Sequence, residues 1–260
     1  MLQTLWLVFM RHLPRVLRSR RLLLLAGLAA LPMLPAFFAA RMKLDATADS
    51  VVAHVSWFLM LQLVLPLCAL IAGSAVVAEE AEDRTLSWVF MRPVSRPGFF
   101  LGRLFALLLP LLLVLGLATL GMVAVAQSAK GAAAAFDPEQ AQGLTPGHGM
   151  RVLLVVLVGA TAYTAVFAAL GSRLKHPLMI GLGYAFVIEA LFGNLTGPTM
   201  KLALSHHLRS LLVDSSAAYN RLAVQLGSEI DSPQEAWVTL ASVTLVASAL
   251  GAYLLRRREI

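Results

Sequence analysis

Leu104–Ala126 reads LFALLLPLLLVLGLATLGMVAVA, a run of 23 residues that contains no charged side chain. As a helix, which rises about 1.5 Å per residue, this run is long enough to cross the roughly 30 Å hydrocarbon core of a bilayer. Five further apolar runs of similar length lie around it: Leu22–Ala40, Val55–Val77, Val152–Ser172, Pro177–Leu195 and Ala236–Leu255. Numbered spans 1 to 6 in chain order, these runs predict an all-α, polytopic integral membrane protein with six transmembrane helices in a single transmembrane domain, 1–260.

The composition supports this prediction and excludes several other classes of protein. Hydrophobic residues make up 59% of the 260 residues and charged residues 13%, against about 45–50% and about 25% in soluble domains. These proportions exclude a disordered chain, a disulfide-rich secreted scaffold and an ordinary cytosolic enzyme. The longest stretch outside the predicted spans, residues 196–235, is too short for a sizeable soluble domain.

The positions of Lys and Arg predict the orientation of the chain, because cytoplasmic loops of membrane proteins carry an excess of these residues. Fourteen of the 21 lie before span 1, between spans 2 and 3, between spans 4 and 5, or after span 6. We therefore expect both termini in the cytoplasm and residues 196–235 on the outer side. Since the basic residues lie mainly at span ends, the net charge of +7 does not indicate a nucleic-acid partner.

Residues 1–21 predict an amphipathic "elbow" helix at the surface of the lipid bilayer. Apolar residues recur at helical spacing and include Trp6 and Phe9, whereas Arg11, Arg15 and Arg18 share another face. We expect the two aromatic rings in the lipid and the three arginines at anionic headgroups. The alternatives are the start of one long first helix and, less favoured because five more spans follow, a cleaved signal peptide.

The loop between spans 2 and 3 has the densest charge in the chain. Residues 78–96 read AEEAEDRTLSWVFMRPVSR, in which four acids fall within five residues. Leu86, Val89 and Phe90 would share one face of a short helix, which ends at Arg92 because proline follows it. Such an amphipathic helix suits docking into a groove of a partner protein, and a solvated loop is the alternative interpretation.

This loop resembles the one that identifies permease subunits of type-2 ATP-binding-cassette (ABC-2) exporters. The residues that match the family pattern are Glu80, Glu82, Arg84, Thr85, Leu86, Arg92, Pro93, Val94, Ser95, Arg96, Leu101, Gly102 and Arg103. Many members have glycine where this chain has Arg84. Six spans, cytoplasmic termini, an N-terminal interfacial helix and a long segment before span 6 are also similar to the family.

The resemblance implies that residues 79–96 form a coupling helix that sits in a cleft of a separate ATPase subunit. The residues implied in this coupling are Glu79, Glu80, Glu82, Arg84, Thr85, Leu86, Val89, Phe90, Arg92, Pro93 and Arg96. The resemblance further implies a bacterial inner membrane and an exporter with two membrane halves. The second half would be another copy of this chain, giving a homodimer, or a different permease, giving a heterodimer.

The chain itself is not expected to hydrolyse ATP. A phosphate-binding loop needs Gly-Lys-Ser/Thr, and none of the four lysines follows a glycine. We therefore expect no cofactor on this chain, with ATP and Mg²⁺ bound by the ATPase partner.

Two alternatives from other functional classes stay open at this point. Glu79, Glu80 and Arg84 also match the first motif of intramembrane prenyl-protein endopeptidases, in which paired glutamates activate water. The further motifs of those enzymes, Phe-x-x-x-His and His-x-x-x-Asn or Asp, do not occur in the sequence. A membrane scaffold that transports nothing is the other alternative.

Two features near the end of span 5 are candidate sites. Glu189 is a candidate for a polar lining of the transport path, because a charge within a span usually faces a cavity or a partner. The favoured alternative is a carboxylate that is hydrogen-bonded within the bundle and caps the outer helices. His206 and His207 are not expected to bind a metal, because adjacent residues point to different helix faces and no Cys or third His lies nearby.

Overall fold

The computed structural model describes residues 2–41, 47–82, 95–128, 146–174, 176–195 and 197–257, and all regular secondary structure in these ranges is helical. Within them, six helices are long and apolar enough to cross a membrane. The predicted all-α fold with six transmembrane helices is confirmed.

Most spans are longer than the apolar runs that predict them, and two contain π-helical segments. The segments are Arg20–Ala30 and Met33–Arg41 (span 1), Ala48–His54, π-helical Val55–Val64 and Leu65–Glu82 (span 2), Arg96–Gln127 (span 3), Pro146–Arg173 (span 4), Pro177–Tyr184 and π-helical Ala185–Leu191 (span 5), and Pro233–Arg257 (span 6). Span 3 begins eight residues before its predicted run, because Pro97 is favourable in the first turn of a helix, where no N–H is needed.

Spans 2 and 4 approach closely at the centre of the bundle because small residues lie between them. A Cβ atom added to Gly73 in span 2 would lie 2.8 Å from Phe167 Cβ and 2.8 Å from the Thr164 carbonyl oxygen in span 4. A Cβ atom added to Gly171 would lie 3.1 Å from the Ser74 carbonyl oxygen. Small residues commonly form such contacts in membranes, where helix association depends on close van der Waals packing.

A separate helix, Leu2–Leu17, precedes span 1 and packs along the beginning of span 3. Gly102 of span 3 makes room for it, since a Cβ atom there would lie 2.8 Å from the Leu5 carbonyl oxygen and 2.9 Å from Val8 Cβ. One face of this N-terminal helix therefore rests on the bundle.

Other residues of the N-terminal helix are exposed on the surface of the protein. Trp6 is 56% exposed and stacks on Phe9 with 6.0 Å between the ring centroids. Arg11, Arg15 and Arg18 are also exposed. The position of these five residues at the surface of a membrane stays a prediction.

The two ends of the bundle carry different parts of the chain. Val76 and Val77 of span 2, Phe99 and Phe100 of span 3 and Leu255 of span 6 form one apolar cluster. The N-terminal helix also packs at this end, which we call the terminal end. The opposite end, the connection end, carries the segment between spans 5 and 6.

The described part of the connection between spans 5 and 6 contains two α-helices and two short 3₁₀ turns. The turns are Phe192–Asn194 and Pro198–Leu202, and the helices are Leu204–Val213 and Ala217–Gln225. Every residue of Leu204–Val213 is buried, although half of its side chains are polar or charged. This helix is therefore part of the core of the bundle, and its polar groups need partners inside the protein.

We expect Gly73→Ala to destabilise the protein, because the added Cβ would meet backbone atoms of span 4. Overpacking of this kind costs about 1–3 kcal/mol. Thermal unfolding of the purified protein in detergent measures the change.

Gly27→Ala in span 1 is the matched control, because a Cβ atom at Gly27 has nothing within 4 Å. This variant should unfold at the same temperature as the wild type or higher, since alanine favours helix over glycine. Equal stability of the two variants would contradict the close contact between spans 2 and 4.

Candidate functional site

A cluster of buried polar side chains lies where span 5 meets the connection, with Glu189 fully buried at its centre. Glu189 Oε1 accepts hydrogen bonds from the Leu204 backbone N–H at 3.0 Å and the Tyr184 hydroxyl at 3.1 Å, and Oε2 accepts one from the Ser205 N–H at 3.0 Å. The first N–H groups of a helix have no acceptor within the helix. The carboxylate supplies that acceptor to the helix Leu204–Val213.

The backbone around Glu189 explains how span 5 and this helix meet. Glu189 lies in the π-helical segment Ala185–Leu191, and the chain then turns at Gly197 with φ of 103°. Glycine adopts a positive φ at little cost, whereas most other residues do so rarely. The turn brings the beginning of Leu204–Val213 back against the carboxylate.

Arg209 is the second buried charge of the cluster, and it is only 3% exposed. Its guanidinium donates hydrogen bonds to the Gly193 carbonyl oxygen at 3.0 Å, Asn194 Oδ1 at 3.3 Å and Gln62 Oε1 at 2.7 Å. It also lies 5.0 Å from the centroid of the Trp57 ring, in a cation–π contact. Arg209 therefore joins the connection to both span 2 and span 5.

Arg209 stays positively charged at neutral pH. Burial lowers its pKa to about 10, and the charge of nearby Glu189 opposes this shift. In surroundings of low polarity, each of these two charges would be costly to bury without the other.

Both π-helical segments contribute side chains to this cluster. Trp57 and Gln62 come from Val55–Val64, and Glu189 comes from Ala185–Leu191. Such wide turns occur frequently at functional sites. We call the set Trp57, Gln62, Glu189 and Arg209 the Glu189 cluster, and it is the candidate functional site at the connection end.

A second set of contacts fixes the helix Ala217–Gln225 to the beginnings of spans 2 and 4. His148 Nε2 lies 3.4 Å from Asp49 Oδ1, and the His148 ring stacks on Tyr219 with 5.3 Å between centroids. The hydroxyl groups of Tyr219 and Ser56 are hydrogen-bonded to each other. Both helices of the connection are thus tied to the spans by buried polar contacts.

The helical spacing of His206 and His207 did not predict that their side chains share a partner. His206 Nε2 and His207 Nδ1 both lie 3.0 Å from Oδ2 of Asp231. The two imidazoles use different ring nitrogens, which lets adjacent residues reach one atom. Asp231, which lies 25 residues after His206, was not identified from the sequence. A search for acidic residues near the start of span 6 would have found it.

The structure describes only part of the predicted coupling segment. Glu79, Glu80 and Glu82 lie in the final turns of the helix Leu65–Glu82, and their side chains are outside the described residues. The predicted coupling residues that lie wholly outside the described residues are Arg84, Thr85, Leu86, Val89, Phe90, Arg92 and Pro93. Arg96 begins span 3 and donates a hydrogen bond to the Arg256 carbonyl oxygen at 2.8 Å. The coupling role of the whole segment stays a prediction.

A cavity of about 370 Å³ opens at the terminal end between the N-terminal helix and spans 1, 2 and 3. The described residues that line it include His12, Arg15, Arg20, Arg21 and Arg103 and no acid. Burial, together with the charges of neighbouring arginines, lowers the pKa of His12 to about 4. His12 is therefore neutral at pH 7, and the arginines carry the positive charge of this cavity.

We expect Glu189→Gln to destabilise the connection end. Glutamine offers one acceptor oxygen, so at least one N–H at the start of Leu204–Val213 would lose its partner, and Arg209 would lose its counter-charge. An unsatisfied buried group costs about 1–3 kcal/mol, which thermal unfolding would detect. Glu229→Gln, at an exposed position of the same connection, is the control and should have no effect. Normal stability with altered transport would show that Glu189 acts in the path alone.

Arg209→Lys should likewise lower the unfolding temperature, although it keeps the positive charge. An ammonium group does not have the planar arrangement of donors with which the guanidinium reaches spans 2 and 5, nor its stacking on Trp57. The matched control is Arg221→Lys, because Arg221 is exposed in the helix Ala217–Gln225. If both variants unfold at the wild-type temperature, the contacts of Arg209 do not stabilise the bundle.

Comparison with known proteins identifies the family. The profile of a family described as "ABC-2 family transporter protein" matches residues 17–191, which is more than half of the 260 residues. Comparison with curated proteins gave no match. The matched region contains spans 1 to 4, span 5 through Leu191 and residues 79–96. The chain therefore belongs to the ABC-2 transporter family, as a multi-pass permease component of such a transporter.

Proposed function

We propose that this chain is the permease subunit of an ATP-driven ABC exporter and that it docks a separate ATPase subunit through residues 79–96. The observation that carries the proposal is the family match over residues 17–191, a region whose sequence includes the acidic segment and Arg92-Pro93. ATP and Mg²⁺ are bound by the ATPase partner. This chain supplies half of the translocation path, and a second copy or a different permease supplies the other half.

The positions of the helix ends support docking at this segment. The helix of span 2 ends at Glu82 and that of span 3 begins at Arg96, so both ends of the segment are held at the terminal end. These two helices are 18 and 32 residues long. Force applied to the segment would therefore reach the interior of the bundle through two long helices.

In the proposed mechanism, closure of the ATPase subunits pushes on residues 79–96 and tilts spans 2 and 3. Span 4 follows because it is in backbone contact with span 2 at Gly73 and Gly171. The Glu189 cluster keeps span 2, span 5 and the connection together during this motion. The substrate leaves along the interface between the two permease halves.

The proposed orientation places the terminal end in the cytoplasm of a bacterial cell and the protein in the inner membrane. Arginines are abundant at this end, as the positive-inside rule requires for a cytoplasmic face. They include Arg15 in the N-terminal helix, Arg103 in span 3 and Arg256 in span 6. The connection end then faces the opposite side of the membrane.

Affinity purification from native membranes, with identification of the co-purified proteins, tests the proposal. We expect the wild-type protein to recover an ATPase with Walker motifs. The double variant Glu82→Ala, Arg84→Ala should recover less than about a tenth as much, because two charged contacts at an interface together exceed 1.4 kcal/mol.

Arg221→Ala combined with Glu229→Ala is the matched control, since it removes the same charges from exposed positions at the connection end. This control should recover as much ATPase as the wild type. A complex that never contains an ATPase would overturn the proposal in favour of a membrane scaffold.

A further inference from the structure

Four polar residues meet where the connection joins span 6. Lys201 lies in the 3₁₀ turn Pro198–Leu202, and His206 and His207 lie in the first turn of the next helix. Asp231 comes two residues before the helix of span 6. The two histidines and the aspartate are buried, with exposed fractions of 2%, 6% and 6%. We call these four residues the His206 cluster.

The Asp231 carboxylate is the centre of the His206 cluster. Oδ1 accepts a hydrogen bond from Lys201 Nζ at 3.0 Å. Oδ2 lies 3.0 Å from His206 Nε2 and 3.0 Å from His207 Nδ1. The lysine thus occupies one carboxylate oxygen, and both imidazoles share the other.

The second ring nitrogen of His207 determines where its proton lies. His207 Nε2 is 3.1 Å from the Lys201 carbonyl oxygen. A carbonyl oxygen only accepts hydrogen bonds, so Nε2 carries the hydrogen and Nδ1 of the neutral ring carries a lone pair. In the neutral ring that lone pair is buried and lies 3.0 Å from the lone pairs of Asp231 Oδ2. Two acceptors facing each other at this distance repel unless the ring takes up a second proton or a metal ion lies between them.

We propose that His206, His207 and Asp231 bind a divalent transition-metal ion of the Zn²⁺ type. Their ligand atoms all lie within 4.8 Å of one another, and ligands of a tetrahedral Zn²⁺ are about 3.4 Å apart. Histidines that bind metals commonly donate their other ring N–H to a backbone carbonyl, as His207 does. Two imidazoles and one carboxylate suit Zn²⁺, whereas Mg²⁺ and Ca²⁺ prefer oxygen ligands alone.

Lys201 sets the charge of this site. Its ammonium group lies 3.0 Å from Asp231 Oδ1 and places a positive charge beside the carboxylate. The ammonium group also repels an incoming dication, so removing it should strengthen metal binding. Because Lys201 is 52% exposed, it can move away from Asp231 without leaving a buried cavity.

A metal ion at this position would join two elements of the bundle. The helix Leu204–Val213 is already linked to Asp231, whose backbone N–H donates to Ser210 Oγ at 3.2 Å. The ion adds a second link from the same helix to the segment that enters span 6. Its binding would therefore stabilise the position of span 6 relative to the Glu189 cluster.

The experiment is equilibrium dialysis of the full chain, purified in detergent with a tag that has no histidines and stripped of metal, against Zn²⁺. We expect one saturable Zn²⁺ per chain and no saturable Mg²⁺ or Ca²⁺. His207→Ala should weaken Zn²⁺ binding by more than about 10-fold, since loss of even an outer-shell partner costs roughly 10–100-fold. His176→Ala, at an exposed histidine, should bind Zn²⁺ as the wild type does.

Lys201→Gln tests the proposal without removing a ligand. If the His206 cluster binds Zn²⁺, this variant should bind it several-fold more tightly than the wild type. If His207 is instead protonated and the cluster is only an ion-pair network, Lys201→Gln will lower the unfolding temperature and bind no Zn²⁺. The proposal is overturned by this outcome, by the absence of saturable Zn²⁺ in the wild type, or by equal affinity in a folded His207→Ala.

Discussion

The hydrogen bonds from Leu204 and Ser205 to Glu189 are the interaction on which the connection end depends. The helix Leu204–Val213 is buried along its whole length, where a backbone N–H without an acceptor costs several times what it would cost at the surface. A carboxylate from span 5 supplies the acceptors, and a charged group does so more strongly than a neutral one. The negative charge of Glu189 is tolerated in turn because the helix Leu204–Val213 carries the positive charge of Arg209.

This one helix organises both polar clusters of the connection end. Its first turn carries His206 and His207, which face Asp231, and its middle carries Arg209, which reaches spans 2 and 5. The capping of the helix Leu204–Val213 by Glu189 fixes the positions of these side chains, since a shift or rotation of the helix would move all of them together. The Glu189 cluster and the His206 cluster are therefore mechanically connected, although they share no side chain.

The sequence predicts the six spans well because a long apolar run is a property of the segment itself and does not depend on the segment's neighbours. It does not predict the partners of His206 and His207, because Asp231 is distant in the chain and helical periodicity describes only local faces. The π-helical turn at Glu189 and the close contact at Gly73 were not predicted either, because both depend on contacts with neighbouring helices. The role of residues 79–96 rests on family resemblance, since most of this segment lies outside the described residues.

The N-terminal helix has a consequence for the order of membrane insertion. Its bundle-facing side rests on Gly102, a residue that the ribosome adds more than 80 positions after Leu17. Until span 3 has been synthesised, the helix cannot make its contact with Gly102. The helix Leu2–Leu17 is thus synthesised well before the surface of span 3 on which it finally packs.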